Sequence, residues 1–282
     1  MWSWLRGARR EDPQARLKEA LGEYELPSFP RVANRVLGLL RDPNVSLTQV
    51  GDALAEDPKL AVRVLSITNS SAFALRNPVQ NVSQASTLLG RASLESLVLG
   101  VVVARSLPDP RIDGFDCRAF WHGAARRAAA ARALADLLHP RTRSEAFTAS
   151  LLSDMAVPLI GVAHGASYGA LLRQHEADGG DLAALEREAL GFDHATIAGW
   201  LARAWSFPDR LTDAIGSHHD EEASSTDLPA AVALVAPLGN DAASEDRVVD
   251  LVRSRFGVGA DTVVEVLERA ARDADEIAAR ML

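Results

Sequence analysis

Apolar positions along this chain recur at the spacing of a helix rather than a strand. Val32, Val36, Leu39 and Leu40 fall on one helical face. Leu94, Leu97, Val98, Val101 and Val102 follow i, i+3, i+4, i+7, i+8, as do Ile197, Trp200, Leu201, Ala204 and Trp205, and again Val263, Val266, Leu267, Ala270 and Ala271. No run alternates apolar and polar residues as a half-buried strand would. Start signals agree with the periodicity. Ser46 with Gln49 forms a capping-box pattern, and Asp57-Pro58 offers an N-cap followed by proline at the first helical position. Asp193 is placed to cap the helix carrying Trp200, and Pro208 to open the one leading to His218. The pattern predicts an all-α chain of about twelve or more short helices.

Breaks fall at residues 107–114, with Pro108, Asp109, Pro110 and Gly114, at 178–181, and at the acid- and serine-rich stretch 220–227. They divide the chain into an N-terminal tail over 1–20, a main helical domain over 21–220 with lobes at about 21–107 and 115–220, and a C-terminal helical extension over 221–282. No internal repeat or low-complexity block interrupts this order.

Composition narrows the function classes. Apolar residues make up 48% and charged residues 24%, which is ordinary for a globular protein. A formal charge of −8, from 38 acidic and 30 basic residues, argues against a broad nucleic-acid-binding surface. Cys117 is the single cysteine, so neither an intrachain disulfide nor a thiolate metal cluster can form, as suits a reducing compartment. Its longest apolar runs, 97–104 and 155–163, fall well short of the ~20 residues of a membrane span, and no hydrophobic signal region opens the chain. Trp2, Trp4 and Leu5 beside Arg6, Arg9 and Arg10 offer weak contact with an anionic membrane surface, but one helical turn buries little area and a frayed tail is the preferred reading. A cytoplasmic location is expected.

A succession of short motifs then carries a resemblance. Leu26-Pro27-Ser28-Phe29-Pro30 opens it, and Asp57-Pro58-Lys59-Leu60 leads into Leu65-Ser66-Ile67-Thr68-Asn69-Ser70 and Ala72-Phe73. Val79, Gln84-Ala85 and Leu88-Leu89-Gly90 follow; Phe120-Trp121-His122 begins the second half, and Ala146-Phe147 enters Leu151-Leu152-Ser153-Asp154. Leu185-Glu186, Asp193-His194, Trp205, Pro208 and Ile215-Gly216-Ser217-His218-His219 close it. In this order and spacing the chain resembles the HDOD family, the HD-related output domains of bacterial signalling proteins, over roughly 21–220. The resemblance implies two packed helical lobes, the second derived from the HD phosphohydrolase fold, and a regulatory rather than catalytic role.

An HD hydrolase sets a first histidine, an adjacent His-Asp dyad and a later aspartate around one or two metal ions that activate water. By the resemblance, His122 matches the first histidine and Asp154 the dyad aspartate, while His194, His218 and His219 lie near the places of further ligands. The dyad histidine is here Ser153, a hydroxyl that transition metals disfavour, and Pro237 falls where the last aspartate is expected. No catalytic residue, no metal and no cofactor are therefore expected, and these five residues are read as a vestigial pocket. Asp154 is read as a buried carboxylate holding helices in register through hydrogen bonds, with Ser153 as a near partner. His218 and His219 are read at a helix end, where adjacent side chains diverge by about 100° and cannot easily ligate one ion. Arg126, Arg127 and Arg132 read as a solvated face, with a phosphate-bearing ligand as the sharper alternative. Asn69-Ser70-Ser71 reads as a cap and turn rather than the rim of a groove.

Three functions follow from different classes. The first is a non-catalytic signal-transduction module that binds a signalling protein. The second is a phosphohydrolase with a degenerate metal site, and the third a sensor that binds a cyclic dinucleotide or other nucleotide without cleaving it.

Overall fold

The computed structural model describes residues 12–281 apart from 25, 27–29, 74, 221–226 and 240, with 227–229 and 281 described in backbone only. The aromatic and basic residues of the N-terminal tail, and Pro27, Ser28 and Phe29 of the first motif, lie outside them. The described chain is all-α: fifteen α-helices and two 3₁₀ turns, with no strand among the described residues.

In the first lobe α2 (Arg31–Arg41), α3 (Leu47–Ala55), α4 (Pro58–Thr68) and α5 (Val82–Ser106) pack on one another. Both caps anticipated here form. Ser46 and Gln49 bond each other's backbone in a complete capping box, and Asp57 accepts from the backbone N–H of Lys59 and Leu60. Arg91 closes the far end of α2, its guanidinium donating to the carbonyls of Leu39 and Leu40 in the last turn and of Val45 in the loop beyond it. The α5 span contains a break at Gly90, where φ is +75° and ψ 173°, a conformation open to glycine and costly for other residues.

The second lobe holds α6 (Cys117–Leu138), α7 (Arg143–Leu152), α8 (Val157–His164), α9 (Ala166–Asp178), α10 (Leu182–Leu190), α11 (His194–Ala204) and α12 (Asp209–Gly216). Helix α6 is its axis. Ala124, Ala125, Ala128, Ala129, Ala130, Ala131 and Ala135 are all buried, so neighbouring backbones approach α6 closely on two sides. Helix α7 takes one side and also meets α5, joining the lobes in one apolar core.

The chain ends contribute to that core. Helix α1 (Pro13–Leu21) lies partly within the stretch expected as a tail, yet Leu17, Ala20 and Leu21, spaced i, i+3, i+4, are buried against α11 and α8. After residue 226, α13 (Asp227–Val235) and α14 (Ala242–Phe256) lead to α15 (Ala260–Met281), which packs along α6 and reaches α4 in the first lobe. Val263, Leu267, Ala270, Ala274 and Ile277 are buried on its inner face, so the segment expected as an extension is part of the core.

Two stretches, 82–106 and 140–164, are long and apolar enough by length and composition to cross a bilayer, which counting unbroken apolar runs did not reveal. The first is interrupted at Gly90, and the second is a 3₁₀ turn followed by α7 and α8. Their most apolar windows are 50% and 83% buried in the protein.

Candidate functional site: a carboxylate and three imidazoles between α6, α7 and α11

Ser153 and Asp154 sit in the turn between α7 and α8. Ser153 Oγ turns back to donate to the Ser150 carbonyl at 3.0 Å and lies 3.3 Å from Asp154 Oδ1. The serine partner expected for Asp154 is thus present, but the main one is Arg127 of α6, whose guanidinium bonds Asp154 Oδ2. Two imidazoles face the other carboxylate oxygen: His218 Nε2 at 3.3 Å and His194 Nε2 at 3.5 Å. Burial works to raise the pKa of Asp154, yet the Arg127 charge and the His194 and His218 rings hold it well below the usual carboxylate range.

His194 opens α11 immediately after its cap, Asp193, which accepts from Thr196 N–H at 2.7 Å. From α10 the fully buried Glu186 accepts from both the backbone N–H of His194, at 2.7 Å, and its ring Nδ1, at 2.6 Å. Tyr168 of α9 donates to the other Glu186 oxygen at 2.5 Å. Burial, then the neighbouring Glu186 charge, pushes the Tyr168 hydroxyl well above its ordinary pKa. Burial alone would keep the His194 ring neutral, but its bonds to Asp154 and Glu186 raise its pKa to about 10.

His218 and His219 follow α12 in a turn, not in a helix. Their rings are 4.2 Å apart, and both face His194, so the divergence expected of helical neighbours does not arise. His218 Nδ1 lies 2.7 Å from the Ile215 carbonyl, which only accepts, so Nδ1 carries a proton. Its Nε2 is buried and, despite its distance to Asp154, is not aligned for a hydrogen bond. His219 Nε2 is 2.9 Å from His194 Nε2; burial and then the neighbouring His218 and His194 push its pKa down to about 3. Two glycines set this convergence: an added Cβ at Gly199 of α11 would meet the Gly216 Cα of α12 at 3.1 Å. Only at that approach do the start of α11 and the turn after α12 share a pocket.

Four of the five residues singled out in the sequence therefore meet. The fifth, His122, does not: it lies on another face of α6, 38% exposed, with Nε2 2.8 Å from Asp275 of α15. The turn of α6 that directs Arg127 inward directs His122 outward. Arg126 and Arg132 are not a solvated face either. Arg126 is buried on Glu245 and the Gly239 carbonyl, and Arg132 donates to the Ala72 carbonyl and lies over the Phe73 ring at 4.2 Å. Arg127 and Glu186 were missed as site residues. For Arg127 the signal was there: it shares the i−3, i+4 stripe with Ala124 and Ala131, both buried. Asn69 acts as read, capping α4 while its amide clamps Val79 through both backbone groups at 2.8 and 2.9 Å.

His194, His218 and His219 each bring one ligating nitrogen within 4.8 Å of the others, the one such cluster of histidine, cysteine or carboxylate groups among the described residues. A hydrolytic two-metal centre would need more. The dyad histidine is replaced by serine, the first histidine is elsewhere, and a guanidinium stands against the dyad aspartate. These residues do not fit that centre.

The HDOD domain family matches residues 26–221, a span that contains every residue of this pocket. The chain belongs to the HDOD family. Solved structures agree on the fold of this HDOD protein. A "Putative phosphohydrolase" from Shewanella amazonensis SB2B is 23% identical, with a TM-score of 0.73 over 98% of this chain and 100% of that one. An HDOD domain protein of unknown function from Geobacter sulfurreducens is 21% identical, with a TM-score of 0.71 over 94% and 96%. A "Putative signal transduction protein" from Marinobacter aquaeolei VT8 is 23% identical, with a TM-score of 0.69 over 96% of this chain and 65% of that one. Among curated proteins none matches.

Proposed function

We propose that this HDOD chain is a non-catalytic output module of bacterial signal transduction, working in the cytoplasm by contact with a signalling protein. The observation that carries the reading is the Arg127–Asp154 pair. In an HD hydrolase the dyad aspartate gives its charge to a metal that activates water. Here a fixed guanidinium takes that charge, and a cation bound through carbon cannot deliver hydroxide. Access points the same way: the His194 and His218 side chains are 3% and 1% exposed, leaving a phosphoester no approach to their rings. Arg126, Arg127 and Arg132, the cations the sequence offered for a phosphate-bearing ligand, are all engaged internally, which weakens the nucleotide-sensor reading.

The test is turnover. Untagged protein with Mn²⁺ is expected to hydrolyse neither bis-p-nitrophenyl phosphate nor cyclic dinucleotides, and hydrolysis lost in Asp154→Asn would overturn the reading. The most exposed large apolar side chains, Val62 and Leu88, are the natural anchors for a partner. Val62→Asp or Leu88→Asp is expected to abolish capture of that partner from native cells without altering the helical circular dichroism.

A further inference from the structure

We propose that the groove walled by α4, the 3₁₀ turn Ser71–Phe73 and α6 is a docking site for an acidic amphipathic helix of a partner protein, and that the last two turns of α15 occupy it as a competitor in cis. The proposal rests on the reading of this chain as an output module and names the kind of partner such a module takes.

Walls and occupant belong to different parts of the chain. Helix α4, the 3₁₀ turn and α6 lie within residues 26–221, the span of the HDOD domain, whereas α15 lies outside that span and packs against all three. Its last turns are held as a bound helix would be. Ala270, Ala274 and Ala278, one at every fourth position, are buried, so α15 lies close along the alanine-rich α6, and Ile277 is fully buried with them. Two adjacent acids then meet the two walls. Asp275 pairs with His122 Nε2 of α6 at 2.8 Å, and one oxygen of Glu276 accepts from both the backbone N–H and the hydroxyl of Ser71, at 2.8 and 2.7 Å. At the end of the helix Arg63 of α4 donates to the Arg280 carbonyl, a group that a helix terminus leaves unpaired.

The turn that receives Glu276 takes its shape from its own lobe. Asn69 clamps both backbone groups of Val79, and Ser70 Oγ donates to the Ile67 carbonyl at 2.7 Å. A carboxylate from another chain would find the same pair of donors at Ser71.

The grip of α15 on the first lobe is weak enough to be displaced. Glu276 and Asp275 are 33% and 78% exposed at the side chain, so water weakens both contacts. A competitor also gains a contact that α15 leaves unused. Val62 stands one turn before Ser66 on the same face of α4, and it is 64% exposed with Arg280 already seated on Ser66. A partner helix reaching one turn further along α4 covers it, and that added burial offsets the high effective concentration of a helix tethered in cis. The chemistry of the partner follows from the groove: small residues at every fourth position towards α6, an adjacent acidic pair near the helix end, and an apolar side chain for Val62.

The experiment uses full-length protein and a fluorescein-labelled peptide with the sequence of residues 264–280, read by anisotropy. Glu276→Gln, which loosens α15, should bind the peptide about five-fold more tightly than the native chain, because the groove is open in a larger fraction of molecules. Ser71→Asp should also release α15, seen as faster amide exchange over residues 275–280. It should nonetheless bind the peptide at least about ten-fold more weakly than Glu276→Gln, since its carboxylate repels the incoming acids. Equal binding by the native chain and Glu276→Gln, or tight binding by Ser71→Asp, would overturn the groove. Self-association of Glu276→Gln in sedimentation without peptide would make the occupant a second copy's α15 and overturn the partner helix. Failure here is distinct from failure of the proposed function: absent peptide binding with no hydrolysis removes the groove alone, and peptide binding alongside Mn²⁺-dependent hydrolysis upholds the groove alone.

Discussion

Replacing Arg127 by methionine preserves the reach of the side chain and removes its charge. Asp154 then keeps only the Ser153 hydroxyl and imidazole neighbours in a pocket where its own side chain is 20% exposed and that of Arg127 14%. Breaking a largely buried ion pair from one side costs about 3–5 kcal/mol; partial access to water puts Arg127→Met at the lower end, about 3 kcal/mol, read as a lowered urea midpoint at pH 7. The pair Arg127→Met with Asp154→Asn should cost clearly less than the two single changes together, since neither charge is then left alone. Strict additivity would show that the two side chains do not depend on each other. At this scale the sequence was readable where chemistry alone identifies a residue: Asp154, His194, His218 and His219 were all named and all meet. It misled where the answer depended on rotation about a helix. His122 and Arg127 lie five residues apart on α6, and only packing of its alanine faces against α7 and α15 decides which of them points inward.

Helices α11 and α12 come together through glycine rather than through interlocking side chains. Gly199 and Gly216 bring the two backbones so close that a methyl group at Gly199 would sit 3.1 Å from the Gly216 Cα, tighter than ordinary packing allows. Gly199→Ala must push the helices apart, at a cost of about 1–3 kcal/mol in thermal or urea unfolding. Because His194 starts one helix and His218 follows the other, the same change should also loosen the approach of both rings to Asp154. A variant of unchanged stability would show that the contact yields freely. Individual helices were legible from apolar period and caps: Ser46, Asp57, Asp193 and Pro208 each stand at the helix start expected of them. Close approaches and breaks were not. Isolated glycines inside a helical pattern look alike, yet Gly90 breaks α5 at positive φ while Gly199 continues α11 and receives a neighbour.

The whole molecule is tied together by a helix whose packing the sequence left open. Helix α15 crosses from α6 to the first lobe and is fastened there by polar contacts. Glu276 accepts from Ser71 N–H at 2.8 Å and from Ser71 Oγ at 2.7 Å, while Arg280 beside it reaches the Ser66 carbonyl. These bonds from Ser71, with Arg280 adding its charge, lower the Glu276 pKa from its ordinary 4.5. The carboxylate form is therefore favoured by folding, and the sign is that of a depressed acid: its contribution is fully present above about pH 4.5 and is lost as pH falls through the lower folded value. Since the side chain is 33% exposed, its charged hydrogen bonds are weakened by solvent and contribute about 1 kcal/mol at neutral pH. Glu276→Gln should then lower the melting temperature by about 2 °C at pH 7. As the pH is lowered from 7 to below that folded value the difference should shrink towards zero, because the native side chain is then protonated and neutral like glutamine. A gap that stayed constant over that range would mean that the carboxylate's charge does not hold α15 to the first lobe, leaving its buried apolar face to do so alone.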